Sequence, residues 1–329
     1  MHYDLAILFE HSDWHQPLFD ELDLLNINYC KIDLSEGAMS YSNVPDADVY
    51  YNMVSPSAYK RDKQRAIPFS IALCRTLEFK GKKVLNGSIS NQLEFSKSSQ
   101  IGLLASINAF YPQTIFFNSI NAVKNHKNLR FPMILKPEQG GSGSRMFLVN
   151  SIDELVNLLK LQPDLWFPDN LLLLQEKIEY DHNFGIVRIE FIEGKMLYAM
   201  RVVTNGTFNL CPSVVCNPDD NSVSACEIQP QNEKPVFHAY NEIPETELNQ
   251  AARVFMASGN NTGSVEYMID TKGRQVFYDI NANSNLRRSI GEQFGINPFK
   301  EVAKYLQMES DKNALLNKTE YNMINEYEI

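Results

Sequence analysis

The sequence of 329 residues contains no run of 18 apolar residues, so no segment reads as a bilayer-spanning helix and no membrane partner is expected. It has no basic excess. Its 30 Lys and Arg stand against 40 Asp and Glu, a formal net charge of −10, which argues against a nucleic-acid backbone binder and makes any basic site local. Cysteine is sparse and odd in number: Cys30, Cys74, Cys211, Cys216 and Cys226. That excludes a disulfide framework and points to a reduced, cytoplasmic protein. Three of the five fall between 211 and 226, but their spacing matches no common zinc pattern and no histidine lies within ten residues, so buried or idle thiols are expected there. The first residues carry Asp4, Glu10 and Asp13 and lack the basic-then-apolar order of a signal peptide. Two phosphate motifs are missing as well. No G-x-x-x-x-G-K-[S/T] occurs, and Gly141-Ser-Gly143-Ser-Arg-Met146 ends in Met where a dinucleotide fingerprint needs Gly.

What is present is a chain long enough for two or three domains with an ample core. Residues 3–95 alternate between strand and helix patterns. Strands are expected at 3–9, 28–34, 48–54 and 82–85, and helices at 16–25 and 67–80, the latter with Pro68 in its first turn and Gly81 after its last. Strands separated by helices imply a mostly parallel sheet, with ligands at the carboxyl ends of its strands. The segment Asn52-Met-Val-Ser-Pro-Ser57 lies at such an end, as a substrate contact or a plain turn. Residues 90–109 read as one helix carrying Ser96-Lys97-Ser98. The stretch 309–329 is polar, a loose helix or a partner contact.

The most informative stretch is 131–149. Met133 to Leu135 and Met146 to Val149 form two apolar runs around Gly140, Gly141, Ser142, Gly143 and Ser144. Such a loop is an ordinary hairpin tip, or it presents backbone N–H groups to polyphosphate with Lys136 aimed at the same place. A helix at 152–161 and a strand at 171–175 follow, so this part is antiparallel or mixed. Two further hairpins carry charge. In the first, a turn centred on Gly194-Lys195 puts Arg188 directly opposite Arg201. Like charges so placed repel and require an anion between them, either Glu190 from the same face or the oxygens of a ligand. In the second, a turn centred on Lys272-Gly273 makes Glu266 face Asp279 with Asn281 on the same side. A turn one residue longer breaks that register. Two acids and an amide oxygen suit Mg²⁺ or Mn²⁺.

In this order the motifs Ser96-Lys97, Ile134-Leu-Lys136-Pro with Gly140-Gly-Ser-Gly143, Gln175-Glu-Lys-Ile178, Arg188 with Arg201, Val265-Glu266 and Asp279-Ile-Asn281 resemble the ATP-grasp superfamily. The similarity is nearest to its glutathione-synthetase-like branch, which includes ribosomal-protein glutamate ligases, and it covers about residues 85–300. The resemblance implies an α/β chain with α+β character in its C-terminal part: a mostly parallel α/β domain at 1–95, an ATP-grasp subdomain with the glycine loop at 96–174, a second subdomain with the metal site at 175–308, and a tail at 309–329. It implies an ATP-dependent carboxylate–amine ligase. Its alternatives are a phosphotransferase with no amine acceptor and a silent ATP-binding module.

By the same resemblance Lys97 and Lys136 hold the α- and β-phosphates, and the loop from Gly140 to Ser144 closes over the β- and γ-phosphates. Gln175, Glu176, Lys177 and Ile178 form the adenine hinge, and Asp181 meets the ribose. Glu266, Asp279 and Asn281 bind Mg²⁺ or Mn²⁺, and Arg201 with Arg188 stabilises the transferred phosphoryl group. The expected substrates are a small carboxylate and an amine, an amino acid or a peptide; a homo-oligomer is left open. The sequence departs from the branch in carrying Glu266 where Asp is frequent and Asp279 where Glu is usual. The loop from Cys211 to Glu233 is outside the pattern. Arg287 and Arg288 are candidates for carboxylate recognition or exposed charges at a helix start.

Overall fold

The computed structural model describes residues 1–40, 42–140, 145–204 and 235–326. The expectations for Gly141, Ser142, Gly143 and Ser144, for Cys211, Cys216 and Cys226, and for the 211–233 loop lie outside the described residues. The chain begins with strands β1 (His2–Phe9), β2 (Tyr29–Asp33), β3 (Asp46–Asn52) and β4 (Lys83–Leu85), and helices α1 (Ser12–Leu24) and α2 (Ala66–Phe79). These strands pair in the order β2-β1-β3-β4, all parallel, as alternating strands and helices require. Leu5, Ile7, Val49 and Tyr51 bury one face of the sheet against α1; Ala6, Leu8 and Tyr50 bury the other with α2 residues such as Leu73 and Leu77.

The expected single helix at 90–109 is two, α3 (Ser88–Glu94) and α4 (Lys97–Ser106). Ser96 breaks it. Its backbone is extended, and its Oγ accepts the Ser99 N–H, an N-cap that restarts the helix one residue before Lys97.

The glycine-loop unit follows: β5 (Thr114–Phe117), α5 (Ile120–Lys124), β6 (Met133–Pro137), β7 (Phe147–Val149), α6 (Ile152–Leu161) and β8 (Leu172–Glu176). Its four strands pair antiparallel in the order β5-β8-β6-β7. The third sheet contains β9 (Ile186–Ile192), β10 (Lys195–Val203), β11 (Val236–Ala239), β12 (Thr262–Ile269) and β13 (Gln275–Asn281) in the order β11-β10-β9-β12-β13, also antiparallel, with α7 (Glu245–Ser258) packed on one face. The chain ends with α8 (Arg288–Gly291) and α9 (Pro298–Glu326). Helix α9 runs through position 309 without a break and returns to the first sheet. There Ser310 donates to the Asp4 carbonyl and Lys83 pairs with the buried Glu309.

Asn86 locks the parallel sheet to the third. It is fully buried with φ +48°, a left-handed conformation that Asn tolerates better than most residues. Its amide nitrogen donates to the Ala282 carbonyl at 2.8 Å and to Thr262 Oγ1 at 3.0 Å, and its Oδ1 accepts the Asn261 and Thr262 N–H groups. Replacing it with alanine leaves buried donors and acceptors unmatched. We expect Asn86→Ala to cost about 3 kcal/mol in urea denaturation; a cost below about 1 kcal/mol would refute this coupling.

Candidate active site

Hairpin register decides which side chains share the site. In the β12–β13 hairpin the turn is one residue longer than expected. Ile269 pairs with Gln275, Asp270 N–H donates to the Arg274 carbonyl, and Gly273 takes φ +73°. A β-bulge at Tyr278 then inserts one unpaired residue into the return strand and restores the alignment. Glu266 therefore does face Asp279, and Asn281 pairs with Ser264 on the same face, by a different route from the one the turn alone suggests.

In the β9–β10 hairpin the expectation fails. The two-residue turn is Glu193-Gly194, with φ +50° and +73°, and Leu197 is bulged. The net register pairs Arg188 with Met200 and Arg201 with Val187. A slip of one residue reverses the face, so Arg188 and Arg201 point to opposite sides of the sheet. Arg201 lies over the Phe184 ring and donates to the Phe184 carbonyl at 3.4 Å. Arg188 is on the face of the acids. Its Nε donates to Glu190 Oε1 at 2.8 Å, one terminal nitrogen to Glu266 Oε1 at 3.1 Å, and the other to Ser284 Oγ at 2.9 Å. Burial opposes its charge, but the carboxylates of Glu190 and Glu266 outweigh that and hold its pKa above the ordinary value.

Glu266 is 2 % exposed. Burial raises its pKa, while Arg188 and a hydrogen bond from the Tyr278 hydroxyl at 2.7 Å work the other way. Asp279 pairs with the ammonium of Lys97. Lys136, from β6, donates to Gln175 Oε1 at 2.5 Å and sits 5.8 Å from the centre of the Tyr278 ring. Burial pushes its pKa down to about 8, although Asp279 and Glu266 favour the charged form. One face thus gathers Lys97, Lys136, Arg188, Glu266, Asp279 and Asn281, and couples the second sheet to the third through Lys136.

Two carboxylates and an amide, each capable of offering oxygen, with Lys97 and Arg188 paired to the acids, suit a hard divalent cation. Among the described residues no three His, Cys, Asp or Glu side chains are gathered as a metal site, and the Asn281 amide nitrogen lies 3.4 Å from Glu266 Oε1.

The remaining expected residues are placed as follows. Gln175 is buried in β8, its amide donating to Thr114 Oγ1 at 2.9 Å. Glu176 ends that strand and accepts the Gln113 N–H at 3.1 Å. Lys177 pairs with Glu179, Ile178 follows the strand, and Asp181 accepts the Asn183 N–H in a local turn. Gly140 lies against Pro137, where an added Cβ would sit 2.8 Å from Pro137 Cγ. Arg288 pairs with Glu21 and Arg287 covers the Phe237 ring, so neither stands as a lone surface charge.

Two supporting residues escaped the sequence reading. Glu138 accepts from Ser96 Oγ at 2.5 Å, Ser98 Oγ at 2.7 Å and the Ser98 N–H at 3.0 Å, which fixes the start of α4 and hence Lys97. Gln100, one turn along, donates to the Ile280 carbonyl at 2.8 Å and accepts its N–H at 3.2 Å, tying the same helix to the strand of Asp279 and Asn281. Glu138→Ala is expected to free the start of α4 and cost about 1–3 kcal/mol of stability in urea denaturation; an unchanged stability would contradict that role.

No family model and no curated protein matches the sequence. Solved structures do. The ATP-grasp ligase PsnB, complexed with a minimal precursor, superposes with a TM-score of 0.65 at 16% identity, over 94% of this chain and 100% of that one. D-alanine–D-alanine ligase from Bacillus anthracis gives 0.65 at 15% identity over 97% and 99%. A RimK domain ATP-grasp protein from Sphaerobacter thermophilus gives 0.65 at 15% over 92% and 98%. The motif order, the sheet topologies and these superpositions agree: the chain has the ATP-grasp fold.

Proposed function

We propose that this chain is an ATP-dependent carboxylate–amine ligase that works through an acyl phosphate and releases ADP and phosphate. The observation that carries this reading is the meeting of Lys97, Lys136, Glu266, Asp279 and Asn281 on one face between two antiparallel sheets. PsnB, which shares the fold, is complexed with Mg and ADP in another structure, and D-alanine–D-alanine ligase bears its reaction in its name.

In this reading the parallel sheet of 1–95 supplies the substrate side, 96–174 the phosphate lid, and 175–308 the acid pair. Lys97 exchanges Asp279 for phosphate oxygens, and Lys136 holds the neighbouring phosphate. Backbone groups of Glu176, Lys177 and Ile178 grip adenine beside Gln175, with Asp181 at the ribose. The loop from Gly140 to Ser144 covers the terminal phosphates and excludes water.

Magnesium held by Glu266, Asp279 and Asn281 supplies positive charge at the phosphates when bound. Arg188 fixes Glu266 in orientation and is a positioning residue. A carboxylate oxygen of the substrate attacks the γ-phosphorus in line and ADP leaves. Lys97 and Lys136 neutralise charge that builds on the phosphate oxygens. An amine then attacks the acyl carbon, phosphate departs with one former carboxylate oxygen, and an amide remains after loss of the amine proton.

The test is Mg²⁺-dependent ADP release with pooled amino acids and small peptides, against Asp279→Asn. Release that needs both a carboxylate and an amine and vanishes in the variant is the expected result. Release with no amine dependence favours a phosphotransferase. Nucleotide binding with no turnover from any pool favours a silent module.

A further inference from the structure

A second cleft lies beside the acid pair, between α1, the end of β3, the start of β12 and the segment 284–286. It is continuous with the site through one residue: Ser284 lines the cleft and accepts the hydrogen bond from Arg188 that balances the one Arg188 gives Glu266. Its walls are apolar, chiefly Trp14, Leu18, Met53, Leu286 and Phe299. No Asp, Glu, Lys or Arg lines it. Trp14 Nε1 donates to Asn285 Oδ1 at 3.1 Å and bridges the mouth from α1 to the segment after β13.

Two features set what the cleft can take. The first is His15, 3 % exposed, which lines it. Its ring hydrogen-bonds the Met53 backbone, burial pushes its pKa down to about 3, and its Nε2 has no partner among the described residues. That Nε2 is closed off from the cleft, so His15 presents its uncharged ring there as part of the wall. The second is size. The cavity is about 30 Å³. One water needs about 10–15 Å³ on that measure, so the space suits a methyl to isopropyl group. Gly263 adds no side chain to the wall and can carry none: an added Cβ would meet the Asn281 carbonyl oxygen at 2.1 Å.

We propose that this cleft is the side-chain pocket for the amino-acid substrate, and that it selects small uncharged side chains of alanine to valine size. The inference rests on the ligase reading above. A charged side chain would be buried there without a counterion, which is costly. A phenyl ring would exceed the space. Ser284, where the cleft meets the site, leaves the substrate's charged end on the side of Arg188 and the acid pair.

The experiment measures ADP release and ligand-induced thermal shifts with single amino acids: alanine, serine, valine, phenylalanine, glutamate and lysine, both enantiomers. Wild type is compared with Leu286→Ala and Leu286→Trp; Leu286 is only partly buried, so both variants should fold. The expected kcat/KM is at least about 10-fold higher for alanine, serine or valine than for the other three. Leu286→Ala should narrow the gap to phenylalanine about 10-fold, and Leu286→Trp should abolish the thermal shift by small amino acids. ADP release with an amino acid preference untouched by either variant overturns the pocket and leaves the ligase standing. Small amino acids that bind, and lose binding in Leu286→Trp, without any ADP release support the pocket and count against the ligase. No binding and no release overturns both. His15→Phe should raise KM for the preferred amino acid with ATP KM unchanged.

Discussion

Lys136→Met is expected to lower ADP formation by about 10³-fold or more while leaving the protein at least as stable as wild type. The two halves of this result have one cause. Lys136 is held where water cannot fully solvate it, and its pKa falls to about 8 from an ordinary 10.5. The folded state therefore binds this proton less tightly than the unfolded chain does. The penalty is fully present below pH 8 and is relieved as pH rises from about 8 to 10.5. Stability from this group thus grows with pH across that window, the opposite of a lysine that gains a partner. Methionine fills a similar volume without the charge, so the melting temperature at pH 7 should not fall. The lost hydrogen bond to Gln175 works against this by about 1 kcal/mol. A protein that holds an uncomfortable cation at the junction of two sheets has a use for it, and polyphosphate is that use in the ligase reading. ATP affinity should weaken as pH rises through 8 in the wild type. A Tm drop of more than about 5 °C with activity preserved would contradict this account on both counts.

Arg188→Met should behave in the opposite way. Arg188 alone satisfies one oxygen of Glu190, which is fully buried and whose other oxygen has no partner among the described residues. It also meets Glu266 and Ser284. Removing the guanidinium strands Glu190 and leaves Glu266 with only the Tyr278 hydroxyl and the Asn281 amide, and breaking such a buried pair costs about 3–5 kcal/mol. We expect a Tm lower by roughly 4–7 °C at that cost and weaker Mg²⁺ dependence, because Glu266 loses its anchor. Adding Glu190→Gln should recover part of the stability and none of the activity. A single Arg188→Met variant with wild-type Tm would show that the network is not what holds this face together.

The two hairpins show how far a sequence can be read. In both, the expected register runs outward from the turn. Glycine and polar residues locate each turn well, but neither composition nor alternation announces a bulge. At Tyr278 a bulge cancelled a turn one residue too long, and the acid pair came out as expected. At Leu197 the bulge corrected the register by one residue where two were needed, and Arg201 moved to the far face. The helix at 90–109 is a similar case. Its apolar spacing continues through Ser96, and only the serine's preference for the N-cap, answered by the carboxylate of Glu138, divides it.

The parallel sheet was legible because fully buried strands such as 3–9 are nearly continuous apolar runs. Glu138, Gln100 and Asn86 were not legible. Each acts through a partner 40 or more positions away, and an isolated Glu, Gln or Asn in a sequence reads as surface. The ordered set of weak motifs succeeded where single ones did not, since it tests the arrangement of the site and not one contact.

The most direct measurement follows the oxygen. With a carboxylate substrate labelled with ¹⁸O, amide formation should place one labelled oxygen in the released inorganic phosphate for each ADP formed, and Asp279→Asn should release neither. Phosphate free of label, with amide still produced, would contradict the acyl phosphate and the chemistry assigned to this face.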